Sequence, residues 1–277
     1  MRAGLITLST AIDERSAGFH ALGRSSASGI ATAVITTSGT AVANLLPAAV
    51  EADRSSQPLL LISADRPLRL KNKGANQTVN QESFLTSVCR WYGSGPLDGL
   101  SAGLDHELQA LAENAWRHLH QPPGPVHLNL PFEEPLHPDL DQQNAFWKQW
   151  NRAKSVAITP NQELWKPTSQ LAAPALDPDQ PGVIVAGPWR GLSATLEAYQ
   201  AALIAWQECS GWPVLADPLA AVPSPLGGVI RSWDLLLPNG LSQLPANAQV
   251  LRLGSMPASR RLEAWLAGQQ GPQLLIT

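Results

Sequence analysis

Several things are scarce in this sequence, and each shortage narrows what the chain can be. Only two cysteines, Cys89 and Cys209, occur in 277 residues, far apart. They support no disulfide framework and point to a reducing compartment, so a cytoplasmic protein with both thiols buried or inert is expected. Charged residues make up 15% and the formal net charge is -3. A chain without excess positive charge has no electrostatic grip on a phosphate backbone, so nucleic acid is not an expected partner. No apolar run reaches membrane-spanning length and no signal peptide is visible at Met1, so no membrane partner is expected. His20, His118, His120 and His127 lack metal-ligand spacing, and no metal site is expected within the chain. There is no Gly-Lys-Ser/Thr phosphate loop, no Gly-x-Gly-x-x-Gly, no Gly-x-Ser-x-Gly elbow and no nucleophilic-cysteine signature.

What is present is enough apolar material for a core, at 44%, with ten Trp and 24 Pro. Most Trp are expected to serve packing. Apolar runs alternate with helical patterns through the first 130 residues. Strands are expected at Gly4–Thr10, Ala31–Thr37, Pro58–Ala64, Val88–Gly93 and Pro125–Leu130, with helices at 13–26, 40–54, 78–86 and 101–120. Leu59-Leu60-Leu61-Ile62 has the look of a central parallel strand covered on both faces. From Pro131 to Pro181 prolines punctuate a polar stretch that reads as a linker with one short helix near 141–153. A second pattern follows. Strands are expected at Gly182–Ala186, Pro213–Ala216, Val250–Leu253 and Pro272–Thr277, with helices at Leu192–Cys209 and 258–267. The fold class is therefore α/β, with two parallel-sheet αβα domains. Residues 1–135 form the first, 136–180 a linker and 181–277 the second.

Four stretches place polar residues where a strand gives way to a helix, the edge at which open parallel sheets bind ligands. Asp13-Glu14-Arg15 opens a helix. Asp is a good cap and Glu suits the first turn, so the plain reading is a helix start, and the sharper one makes Glu14 a catalytic carboxylate. Thr36-Thr37-Ser38-Gly39-Thr40 is a small hydroxyl-rich turn. Gly39 permits close backbone approach, Ser38 or Thr40 can cap the next helix, and free N–H groups there can hold an anion or heterocycle. Ser63-Ala64-Asp65-Arg66-Pro67 sets a guanidinium at a strand end, suited to a carboxylate. Gly74-Ala75-Asn76-Gln77 adds neutral donors and acceptors. The fourth, Arg252 to Leu262, starts a helix with Arg260 and Arg261. Cations at a helix N-terminus oppose its dipole, which hints at an anionic ligand, although a solvated face explains them too.

Taken together these stretches resemble one family. Asp-Glu-Arg-x-x-Gly-Phe-His-Ala-Leu-Gly, Thr-Ser-Gly-Thr-Ala-Val-Ala-Asn-Leu-x-Pro-Ala, Ala-Asp-Arg-Pro and Gly-Ala-Asn-Gln occur in the order and spacing of the MenD family. Its members are 2-succinyl-5-enolpyruvyl-6-hydroxy-3-cyclohexene-1-carboxylate (SEPHCHC) synthases of menaquinone and phylloquinone biosynthesis. Pro125 to Phe132 looks like the end of the family's pyrimidine-binding domain, and Gly211 to Pro218 like part of its middle domain. The resemblance implies a transferase that uses thiamine diphosphate and Mg2+ and joins 2-oxoglutarate to isochorismate with loss of carbon dioxide. It implies that Glu14 hydrogen-bonds the cofactor's aminopyrimidine and activates it. Ser38, Gly39 and Thr40 would lie beside the pyrimidine, and Arg66, Asn76, Gln77, Arg260 and Arg261 would face the anionic substrates. A homodimer or homotetramer is implied for the whole enzyme.

Two departures from the family pattern stand out. The family's first strand–helix unit has no counterpart before Met1. The Gly-Asp-Gly…Asn signature that binds magnesium and diphosphate is nowhere in the sequence. An internal fragment, inactive alone, is therefore expected. Two other readings compete: a different thiamine-diphosphate enzyme of the acetohydroxyacid-synthase type, and a non-catalytic α/β binding module.

Overall fold

The structure, a computed structural model, describes residues 6–137, 139–149, 176–191, 193–237 and 244–276. The chain divides into two compact units, Met1–Lys166 and Pro167–Thr277.

In the first unit four strands run parallel: β1 (Thr32–Thr36), β2 (Leu59–Asp65), β3 (Trp91–Ser94) and β4 (Pro125–Pro131), in the order β1-β2-β4-β3. Helices α1 (Glu14–Ser28) and α3 (Leu46–Arg54) are packed on one face, over a core of Val34, Leu45, Ala48, Ala52, Leu59, Leu61 and Leu85. Helix α4 (Asp105–His120) covers the other through Ala115 and Leu119, against Val126, Leu128, Leu60 and Ile62. The parallel α/β expectation holds. Leu59 and Leu61 are fully buried, whereas Leu60 and Ile62 on the opposite face are half-buried, so β2 is central but unequally covered.

Local chemistry sets the helix ends. Asp13 Oδ1 accepts the N–H groups of Arg15 and Ser16 at 2.9 and 3.2 Å, two of the free donors that a helix start must satisfy. Gly29, at φ 68°, ends α1 in the left-handed conformation that glycine adopts without strain. Gly18 lets α1 lie against α3, since a Cβ there would sit 2.9 Å from Ala48 Cβ.

Several expected elements differ. The strand expected at Gly4–Thr10 is not one: Gly4 and Leu5 lie outside the described residues, and Ile6–Thr10 belongs to no sheet and is exposed. A strand needs a partner for its N–H and C=O groups, and among the described residues this segment has none. The helix expected at 40–54 breaks into α2 (Thr40–Ala43) and α3, because Pro47 has no N–H to give the Ala43 carbonyl. The helix expected at 78–86 shrinks to one 3-10 turn, Gln81–Ser83, where the buried Gln81 side chain turns toward the strand ends. The helix expected from 101 begins at Asp105, after a separate 3-10 turn, where Glu107 Oε2 accepts the Leu104 N–H at 3.0 Å. The strand expected over Val88–Gly93 is shifted to Trp91–Ser94.

Helix α5 (Leu140–Gln149) occupies part of the expected linker, and Trp150–Ala153 of the helix expected there lie outside the described residues. In the second unit β5 (Gly182–Ala186), β6 (Val214–Ala216), β7 (Val229–Ile230), β8 (Gln249–Leu253) and β9 (Gln273–Ile276) form a parallel sheet in the order β7-β6-β5-β8-β9. α6 (Leu196–Ser210) packs on one face with Leu203, Trp212 and Val214. α7 (Trp233–Leu236) and α8 (Arg260–Gly268) pack on the other with Val183, Val250 and Leu262. The short β7 and α7 carry no periodic signal in the sequence. Buried Trp find hydrogen-bond partners: Trp212 Nε1 donates to the Gln180 carbonyl and Trp233 Nε1 to that of Ala216, both at 2.8 Å. Cys89 is half-buried, and burial pushes its thiol up to about 12, whereas Cys209 is exposed.

Gly18→Val should destabilise the first unit by about 1–3 kcal/mol through overpacking. Chemical denaturation of the variant checks this, and an unchanged midpoint would show that α1 and α3 have slack.

Candidate active site

The strand register carries the site. Thr36, Ser63, Asn129 and Ser94 are paired across the sheet in one row, from β1 to β2 to β4 to β3. Each apolar strand therefore reaches a small polar residue at the same height, near its carboxyl end. The next position on the same face of β2 is Asp65, 1% exposed.

These groups bond to one another and to the loops above them. Asn129 Nδ2 donates to Asp65 Oδ2 at 2.7 Å, and Asp65 Oδ1 accepts the Arg66 N–H at 2.7 Å. Lys71 Nζ lies 2.7 Å from Asp65 Oδ2 and also contacts Glu82. Burial works against the charge on Lys71, yet the two carboxylates outweigh it and raise its pKa above the ordinary lysine value. Gln81, with no exposure, donates through Nε2 to Asn129 Oδ1 at 2.7 Å and to the Ala64 carbonyl at 2.9 Å. Its Oε1 accepts the Gly39 N–H at 2.9 Å.

Gly39 stands at φ 82°, ψ -137°, a conformation essentially reserved for glycine. It does not begin a capped helix: neither Ser38 nor Thr40 caps α2, contrary to the sequence expectation. The Ser38 hydroxyl is instead buried without a partner, and Thr40 is exposed. From α2 the path continues, because the Asn44 N–H donates to the Thr40 carbonyl at 3.0 Å and Asn44 Nδ2 to Glu14 Oε2 at 3.1 Å. Glu14 is half-buried in the first turn of α1. A continuous run of short contacts thus leads from the Glu14 carboxylate to the Arg66 backbone.

The structure brings Glu14, Ser38, Gly39, Thr40, Arg66 and Gln77 into one connected neighbourhood. Gln77, at φ 57°, lies close above Gly39, with its Cβ 3.6 Å from where a Gly39 Cβ would stand. Asn76 is exposed beside it. Arg66 is half-buried, and among the described residues its guanidinium has no hydrogen bond or ion pair, unlike those of Arg69 and Arg90. Arg260 and Arg261 belong to the second unit. Arg261 donates to the Asp234 carbonyl at 3.2 Å and Oδ2 at 3.4 Å, while Arg260 is exposed and unpaired among the described residues. The sequence reading overlooked Asn44, Asp65, Gln81, His127 and Asn129 as site-building residues. Asp65 and Asn129 carry a signal, a polar residue toward the end of an apolar run, whereas Asn44, Gln81 and His127 carry none of that kind.

His127 lies in the same core, two residues before Asn129 on the same face of β4. Its Nε2 is 2.8 Å from Ser63 Oγ, which itself donates to Asn129 Oδ1 at 2.9 Å. With the Ser63 proton committed, Nε2 must be the donor, and Nδ1 is left as a buried nitrogen without a partner. A second proton has no acceptor there, and burial lowers the His127 pKa to about 4. His118 and His120 are structural, each bonding through Nδ1 to a carbonyl four residues back.

Residues 1–84 match the family described as thiamine pyrophosphate enzyme, N-terminal TPP binding domain, and residues 139–276 match the middle domain of thiamine pyrophosphate enzymes. The chain belongs to the thiamine pyrophosphate enzymes. A SEPHCHC synthase from Synechococcus sp. (strain CC9311) is 90% identical over 277 residues, which are all of this chain and 48% of that protein. One from Prochlorococcus marinus (strain MIT 9303) is 59% identical over all of this chain and 49% of its own length. One from Parasynechococcus marenigrum (strain WH8102) is 59% identical over 99% of this chain and 49% of its own length. The chain spans about half the length of the curated relatives it matches.

The donor set suits the heterocyclic end of the thiamine cofactor. Glu14 Oε1 has no hydrogen bond among the described residues, the Ser38 hydroxyl is an unpaired buried polar group, and Gly39 adds no side chain of its own beneath Gln77. Among the described residues no cluster of three or more His, Cys, Asp or Glu could hold a metal ion. No described helix is long and apolar enough to cross a membrane.

Because the His127 pKa is lower folded than unfolded, protons favour the unfolded state as pH falls from about 6.5 to about 4. The first unit should therefore be fully stable above about pH 6.5 and lose on the order of 3 kcal/mol of His127-linked stability by about pH 4. His127→Gln should flatten that slope, as read from unfolding midpoints at pH 7 and pH 5. Equal slopes in both proteins would remove His127 from the acid response.

Proposed function

We propose that this chain forms the cofactor-activating and substrate-orienting part of a SEPHCHC synthase, a cytoplasmic transferase of menaquinone or phylloquinone biosynthesis. The reaction takes 2-oxoglutarate, releases carbon dioxide and adds the remaining four-carbon unit to isochorismate. The observation that carries this reading is the hydrogen-bonded path from Glu14 through the Gly39 turn to Arg66. It sets a half-buried carboxylate, an unpaired buried hydroxyl and an unpaired guanidinium along one sheet edge. The printed name of the 90%-identical relative supports the same reading.

When bound, thiamine diphosphate supplies the nucleophilic carbon and the electron sink. Glu14 holds a proton against the aminopyrimidine through its uncommitted oxygen, while Asn44 fixes the other oxygen. Ser38, Gly39 and Thr40 line the pyrimidine end, with Gly39 adding no side chain of its own. Arg66 meets a substrate carboxylate, for which a planar two-pronged donor is suited. Asn76 and Gln77 add neutral donors and acceptors, and Arg260 and Arg261 are further cations suited to an anionic substrate. Of that pair Arg260 is the better candidate, since Arg261 is engaged by Asp234. In this reading residues 1–135 are the pyrimidine-binding domain, 136–180 the connector and 181–277 the middle domain. Mg2+ and the diphosphate are taken by residues outside this sequence, and the working enzyme is a homodimer or homotetramer.

In a full-length protein that contains this chain, Glu14→Gln keeps shape and loses the proton position. Turnover of 2-oxoglutarate and isochorismate should fall by about 10²–10⁴-fold, and near-normal rates would remove Glu14 from the mechanism. Arg66→Ala should raise the KM for an anionic substrate by about 10-fold or more, the worth of a charge-assisted hydrogen bond. An unchanged KM would place Arg66 outside the substrate site.

A further inference from the structure

We infer that Gln81 is a positioning residue: it fixes the Gly39 turn, and through it the pyrimidine end of the cofactor. This rests on the functional reading above and deepens it.

One side chain here ties three strand ends together. Gln81 Oε1 holds the N–H of Gly39, just beyond β1. Its Nε2 holds the Ala64 carbonyl on β2 and Asn129 Oδ1 on β4. The amide has no solvent exposure, so no water competes for these bonds. The Gly39 N–H is the more dependent partner. Its residue has an unusual backbone conformation, begins a helix of only four residues and has no side chain with which to pack. Gln77, four residues before Gln81, closes over Gly39 from the same loop. The polar end of Gln81 therefore holds the turn from beneath, while Gln77 of the same loop covers it. Asn129 is in turn held by Asp65, which also binds the Arg66 N–H. A shift at Gln81 reaches the cofactor side and the substrate side together. The alternative, that Gln81 only stabilises the fold, predicts lost stability without a change in cofactor affinity.

Gln81→Met fills a similar volume and offers Gly39 no acceptor. In a full-length protein that contains this chain, two measurements are made on this variant and on the unsubstituted protein. Hydrogen–deuterium exchange follows the Gly39 amide without cofactor, and titration calorimetry measures thiamine diphosphate affinity in excess Mg2+. The Gly39 amide should exchange about 10-fold faster or more, with β2 and α3 amides unchanged, and affinity should fall by about 10-fold or more. Unchanged Gly39 exchange, or freed Gly39 with unchanged affinity, would overturn the inference. If Gln81→Met does not fold, the unsubstituted protein decides: Gly39 should exchange as slowly as Leu61 of β2, and rapid exchange overturns the inference. Failure of the unsubstituted protein to bind thiamine diphosphate would instead sink the functional reading, and the exchange measurement would still report whether Gln81 holds Gly39.

Discussion

Asp65 is a carboxylate almost without water, and the upper edge of the first sheet is arranged around satisfying it. A buried carboxylate is costly unless its oxygens are fully engaged. Lys71 and Asn129 take one oxygen and the Arg66 backbone takes the other. Each partner is then committed in turn. Asn129 must point its carbonyl toward Ser63 and Gln81, Gln81 must present its own carbonyl to Gly39, and Ser63 must accept the hydrogen bond from His127 Nε2–H. The donors and acceptors fall into one consistent arrangement, and Glu14 joins it at the far end through Asn44.

This explains which parts of the molecule were legible in the sequence. The parallel α/β architecture was legible because Leu59–Ile62 and Gly182–Ala186 are short apolar runs set between helical patterns. Gly39 and Arg66 were legible because each follows an apolar strand, Glu14 because it opens a helix, and Gln77 because it belongs to the Gly-Ala-Asn-Gln stretch. The register was not. Nothing in Val-Ile-Thr-Thr, Leu-Ile-Ser-Ala-Asp or His-Leu-Asn-Leu says that Thr36, Ser63 and Asn129 share a row until the pairing is known. Gln81 was hidden for a different reason. A polar residue in a polar loop is ordinary, and only its burial against three strand ends distinguishes it. The expected strand before Glu14 failed because an apolar segment becomes a strand only where another strand completes its hydrogen bonds.

The second unit follows the same grammar with less chemistry. Its five described strands are parallel, and its two cores are built from aliphatic residues and Trp, of which Trp212 and Trp233 donate their ring N–H to backbone carbonyls. Ser259 caps α8 by accepting the Leu262 N–H at 3.1 Å and also bonds Asp234, which holds Arg261. The arginine pair at that helix start is therefore not electrostatically orphaned, because an acidic residue from α7 offsets one of the two charges.

The contact of Gly18 with Ala48 bears on more than packing. Four residues at about 1.5 Å each separate Gly18 from Glu14 along a stiff helix, so the contact acts as a fulcrum about 6 Å along the axis from the Glu14 backbone. A helix does not bend over one turn without a cause such as proline. Any spreading of the two helices at that fulcrum is delivered to Glu14 almost undiminished. The tolerance for error at a small, chemically silent glycine is thus the tolerance that the role proposed for Glu14 would demand.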